Sequence, residues 1–199
     1  MSADLVVGEL DASLEEHVRR IAKLISLEGY ALLAGRPAGI VGSPSRIESA
    51  GFISISVINA ASLDLFNSYA ARLEGFTGAD AIDKTTYRNL PWWIQSVWLP
   101  IEFDPPKDLA SDADDPLFVG SCVKLLSELA EIRNKSDLEL GTVSDSYHVM
   151  RSDYGTWFRG AVDRDDVLSE SDTIRWIWRS LHDGAEISKQ KRVPMALLA

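Results

Sequence analysis

The sequence predicts a mainly α fold, a single compact helical domain over residues 1–199 with about five helices and short β-strands, and an α+β arrangement is the alternative. Three observations carry this. Apolar residues recur at helical spacing in several long stretches, whereas strict alternation is confined to one short run. A composition of 46% hydrophobic and 25% charged residues is that of a globular chain able to bury a core. No internal repeat, low-complexity tract or sharp change of composition divides the chain.

The first helix is predicted over residues 14–28. Leu14, Val18, Ile21 and Ile25 share a face, and Ser13 with Glu16 forms a capping box. Gly29 and then Gly35-Arg36-Pro37 end it, and residues 36–50 read as an irregular connection. Residues 52–57, FISISV, alternate Ile53, Ile55 and Val57 with other residues and read as a half-buried strand. The crowding of β-branched residues there favours a strand followed by a helix over one long helix. That second helix spans 60–73, with Ala61, Leu65, Phe66, Tyr69 and Leu73 on its face and Gly75 as its stop.

Pro91, Pro100, Pro105, Pro106 and Pro116 forbid a long helix between 76 and 116. Residues 96–103 there suit an edge strand, where proline is tolerated. The strongest helical pattern covers 117–134. Phe118, Cys122, Leu125, Leu129 and Ile132 form its stripe, Lys124, Ser127, Glu128 and Glu131 lie opposite, and Asp114, Asp115 and Pro116 lead into it. A shorter helix is predicted over 146–158, although Gly155 weakens it. The last spans 171–189, with Ile174, Ile177, Trp178, Leu181 and Ala185 inward, Asp172 near its start and Lys189, Lys191 and Arg192 at its end. Residues 193–199 form an apolar tail suited to a docked end strand.

The net charge of −10 argues against a nucleic-acid partner and against an anionic membrane surface. A lone cysteine, Cys122, allows no internal disulfide, and the first residues carry no secretory signal, so a cytoplasmic protein is expected. No metal-binding, P-loop, dinucleotide or nucleophile-elbow motif is present, and no cofactor is called for. His17, His148 and His182 stand apart, with His182 placed to stack on Trp178 one turn earlier. A hydrolase built on Cys122 and a histidine is the enzymatic alternative. Against it, Cys122 falls in the apolar stripe, about a turn inside its helix, where a thiol behaves as a small hydrophobe.

Two features suit binding. Trp92, Trp93 and Trp98 crowd one short segment, and Trp176 lies off the apolar stripe of its helix, so a second layer or a partner must cover it. Directly after the Trp segment come Glu102, Asp104, Asp108, Asp112, Asp114 and Asp115, with Lys107 the only base among them. Aromatic anchors beside acids make a docking surface for a basic protein. The expectation is therefore an acidic cytosolic inhibitor or adaptor, with the physical profile of an immunity protein that neutralises a basic toxin. Trp92, Trp93, Trp98, Glu102, Asp104, Asp112, Asp114, Asp115 and Trp176 are its expected contact residues. A structural component that self-associates through Trp176 is the third reading. The sequence fixes no oligomeric state.

Overall fold

The computed structural model describes residues 2–8, 32–33, 36–37, 52–78, 80–91, 96–109, 117–141, 147–152, 155–160 and 169–198. The helix predicted over 14–28, together with Trp92, Trp93, Asp112, Asp114 and Asp115, lies outside them.

The chain enters through β1 (Ser2–Gly8), and two residue pairs, β2 (Leu32–Leu33) and β3 (Arg36–Pro37), form a small antiparallel ladder of their own. Then come β4 (Phe52–Asn59), α1 (Ala60–Leu73), the short α2 (Ala81–Lys84), β5 (Ser96–Leu99), β6 (Lys107–Leu109) and β7 (Leu117–Ser121). α3 (Cys122–Lys135), the ladder of β8 (Tyr147–Ser152) with β9 (Gly155–Gly160), α4 (Glu170–Lys191) and β10 (Met195–Leu198) complete the order. Six strands form one mixed sheet in the order β4-β1-β10-β5-β7-β6, in which only β5 and β7 run parallel. The described residues thus combine four helices with a substantial sheet, the α+β arrangement more than the mainly α one.

α4 is the centre of the helical layer. It packs against α1 and α3 and against β1, β4 and β10. Ile177, Trp178, Leu181 and Ala185 of α4 meet Leu125, Leu129 and Ile132 of α3, Phe66 of α1, and Leu5, Trp98 and Met195 of the sheet in one buried cluster. Register explains two glycines. Val7, Met195, Trp98 and Gly120 stand side by side across four strands. A Cβ on Gly120 would lie 2.7 Å from Trp98 Cδ1, so the row closes only with glycine there. Gly184 lets α4 settle as closely on Met195, where a Cβ would meet Sδ at 2.7 Å. Ser96, Val97, Trp98 and Leu99 are all buried, so the middle of the sheet is covered on both faces.

α1 matches its predicted range. Asn59 caps it by accepting from Ser62 N, and Gly75 at φ 84° closes it while the Phe76 N–H reaches back to Ala71 O. β4 departs from simple alternation. A register shift against Leu5 and Val6 leaves Ile55 as an extra residue, so Val57 stands opposite Asp4, and Ile58 joins Ile55 in the core.

Other expectations need correction. Residues 117–121 are strand, and α3 begins at Cys122 with Ser121 as its N-cap, because Gly120 and Ser121 favour extended backbone and a cap over helix. The described residues of the segment predicted as a helix over 146–158 are strands. Tyr147–Ser152 pairs there with Gly155–Gly160, as Val149, Thr156, Trp157 and Phe158 prefer and Gly155 permits. β5 is an interior strand between β10 and β7, with Pro100 just past its end, and not an edge strand over 96–103. The tail forms β10 in the interior of the sheet, between β1 and β5. No helix among the described residues is long and apolar enough to cross a membrane.

Candidate functional site

The segment between α2 and β5 turns on Asn89, which is buried and uses every polar group it has. Its backbone N–H donates to both Glu128 carboxylate oxygens at 3.0 and 2.8 Å, and its Nδ2 donates to Glu128 Oε1 at 3.0 Å. Its carbonyl accepts from Trp98 Nε1 at 2.7 Å, and its Oδ1 accepts from Ser121 N at 2.9 Å. Ser121 in turn donates its hydroxyl to Ile101 O at 2.6 Å and accepts from Lys124 N to cap α3. One asparagine thereby ties the segment to β5, β7 and α3 at once. A buried network this fully satisfied is rigid, and each member lost would strand another.

Against this network lies a cleft of about 470 Å³, lined by Asn89, Asp104, Pro105, Lys124, Glu128 and Glu131, with Thr86, Arg88 and Ser127 on its margin. Burial is the main force on Glu128 and pushes its carboxyl up to about 7. The Asn89 donors and the Arg88 backbone N–H act the other way, and the charge of Asp104 adds to the rise. Glu128 therefore exchanges its proton near neutrality while facing a cleft. Glu102 is exposed and pairs with Lys124 at 3.1 Å, a surface contact of small energetic weight.

A second cleft of about 530 Å³ adjoins the first through Arg88 and Pro105. Asp64, Asp83 and Asp108 carry its charge, Ile82 and Pro106 supply apolar wall, and Asn67 lines it from α1. Asn67 is 2% exposed. Its Nδ2 donates to Pro91 O at 2.8 Å, while its Oδ1 is buried with no donor among the described residues. Such an acceptor costs roughly 1–3 kcal/mol. The peptide between Asp104 and Pro105, where the two clefts meet, is cis.

The expected contact residues divide. Glu102 and Asp104 are exposed, Asp104 on the wall of the first cleft. Trp98 is not a surface contact. It is fully buried, edge-on to Phe118 at 6.0 Å, with its indole N–H committed to Asn89. Trp176 is partly buried and packed against the core, with its Nε1 enclosed and part of the ring surface still open. Asn67, Asn89 and Glu128 were not expected at a site.

Cys122 stands at the first turn of α3 and not a turn inside it, yet burial still governs it. Burial pushes the thiol up to about 12, and its Sγ lies 3.1 Å from Ser188 Oγ, so its surroundings disfavour the thiolate. His182 stacks on Trp178 with ring centroids 4.8 Å apart and sits 3.3 Å from Asp183, as the spacing predicts. Among the described residues no cluster of His, Cys, Asp and Glu could hold a metal ion. Comparison of the chain with protein-family models, with curated proteins and with solved structures yields no match.

Proposed function

We propose that this protein binds a basic protein partner in the cytoplasm through the acidic rim of the two adjoining clefts, and acts as an inhibitor or adaptor in the manner of a small acidic toxin-neutralising protein. One observation carries the reading. Asp64, Asp83, Asp104, Asp108 and Glu131 are all exposed around the clefts, with Glu102 beside them, against Arg88 and Lys124. An acidic concave surface attracts a cationic partner, speeds encounter and disfavours acidic competitors. Asp112, Asp114 and Asp115 continue the same acidic segment in sequence and belong to the proposal, as do Trp92 and Trp93. Trp98 leaves it, since it is fully buried in the core, while Trp176 packs against the core and keeps part of its surface open. The burial of Cys122 favours this reading over a hydrolase built on that thiol.

The test is capture of partners from source-cell lysate by the tagged protein, at low and high salt, beside a variant carrying Glu102→Lys and Asp104→Lys. The wild type is expected to retain a stoichiometric basic protein whose association slows roughly tenfold or more in the variant and weakens with salt. Capture that is indifferent to both the substitutions and the salt overturns the proposed surface.

A further inference from the structure

We infer that the second cleft, beside Asn67, is a subsite for one arginine side chain of the basic partner, an inference that rests on reading the acidic rim as a docking surface. Two independent features meet there. The first is charge, since Asp64, Asp83 and Asp108 outnumber Arg88 around the cleft. The second is Asn67, almost wholly buried, which lines the same cleft and whose Oδ1 has no donor among the described residues while its Nδ2 is committed to Pro91. An unpaired buried acceptor is a feature a donor-rich occupant relieves.

The cleft also has wall for the stem of such a side chain. Ile82 and Pro106 offer apolar surface along which three methylenes lie while the charged head reaches the carboxylates. The acceptors come from separate elements, Asp64 and Asn67 on α1, Asp83 on α2 and Asp108 on β6. A guanidinium suits that spread better than an ammonium. It is planar, always charged, and carries five donors fixed in different directions, whereas lysine offers one compact charge.

The experiment titrates Nα-acetyl-arginine amide into the full-length 15N-labelled protein and follows 1H–15N NMR shifts, with the citrulline analogue as an uncharged probe of the same shape. Saturable shifts are expected at the Asn67 side-chain amide and at the backbones of Asp83 and Asp108, and none with citrulline. The double substitution Asp83→Asn and Asp108→Asn is expected to weaken binding at least tenfold, on the order of the loss of one charge-assisted pair. Both acids are exposed, so this variant should keep its fold, and its spectrum reports whether it does. Shifts elsewhere on the protein, equal response to citrulline, or an affinity unchanged in the variant each overturn the subsite. The two readings fail separately. Arginine binding without any basic partner captured by the wild type overturns the docking surface and leaves the subsite. A captured partner that the Asp83→Asn, Asp108→Asn variant binds as tightly as wild type overturns the subsite alone.

Discussion

Two glutamates grip the segment 85–89 from different directions, and they titrate in opposite senses. Glu74, at the end of α1, accepts from Thr85 Oγ1 at 2.6 Å, from Thr86 N at 2.7 Å and from the Thr86 hydroxyl. Glu128, on α3, accepts from Asn89 N and Nδ2. Burial raises both carboxyls. At Glu74 the threonine donors and the Lys135 ammonium, 3.8 Å away, outweigh burial and hold the group below its ordinary value. At Glu128 the Asn89 and Arg88 donors lower the carboxyl, Asp104 adds like charge, and burial wins. A similar clamp, built with hydroxyls and an ammonium in one place and with amides in the other, thus stabilises the ionised form once and penalises it once. The penalised one is the one that faces a cleft, which fits the tendency of perturbed groups to collect at functional sites.

The largest expected effect comes from breaking the Glu128 arm at its hub. Asn89→Ala leaves the Ser121 N–H unpaired and takes a donor from Glu128 in a buried network, so it should cost about 4 kcal/mol by urea denaturation. A cost under about 1 kcal/mol would mean that the segment is held by its other contacts. The next effect is the pH slope. Glu128 moves from an ordinary 4.5 to about 7 on folding, so the native state binds the extra proton between those values. Stability from this group therefore falls as pH rises from about 4.5 to 7, by up to roughly 3 kcal/mol at about 1.4 kcal/mol per unit. Glu128→Gln removes that slope and keeps one oxygen for both Asn89 donors, which already share Oε1. Its stability should match wild type near pH 5 and exceed it at pH 8. Glu74 has the reverse sign, with stability present above its ordinary value and lost as pH falls through its lowered one. Glu74→Gln should lower stability at pH 7 by roughly 1–2 kcal/mol and flatten only the acid limb. An acid limb unchanged in Glu74→Gln would remove the contrast.

α1 was legible in full because its signals are local: Asn59 at one end, Gly75 at the other and an apolar stripe between them. The junction of β7 and α3 was not. Phe118 lies four residues before Cys122, so a buried strand residue falls on the same 3.6-residue period as the helix after it, and the period alone runs the helix back too far. Gly120-Ser121 was the signal that marks the break. Strand order is non-local, and nothing within residues 193–199 announces a place between β1 and β5. The site left more trace than its absence from the expected residues suggests. Leu63, Phe66, Asn67 and Ala70 follow helical spacing, and Glu128, expected on the face opposite the apolar stripe, in fact stands one turn from both Leu125 and Ile132 at the edge of that stripe. A polar residue on a buried stripe is costly unless it has a partner or a task, and both unexpected helix residues stand at such positions. Asn89 had no such pattern, since its role depends on β5, β7 and α3 converging on it.

The smallest effect separates the two causes that raise the Glu128 carboxyl, burial and the charge of Asp104. Asp104 is exposed, and its charge is the least of the influences named for that carboxyl. Asp104→Asn should therefore lower the Glu128 titration by only a few tenths of a unit and raise stability at pH 8 by about 0.5 kcal/mol or less. Stability curves at low ionic strength are the place to look, because salt screens an exposed charge and leaves burial untouched. Raising salt in the wild type should move its slope toward that of Asp104→Asn, and the two should meet at about 0.5 M, where the screening length is only a few ångströms. The same substitution removes one rim charge from the proposed docking surface, so it should also slow association with a basic partner. If the slopes of wild type and Asp104→Asn coincide even at low salt, burial against the Asn89 and Arg88 donors sets the Glu128 titration without Asp104. Asp104 would then act only outward, on whatever approaches the cleft.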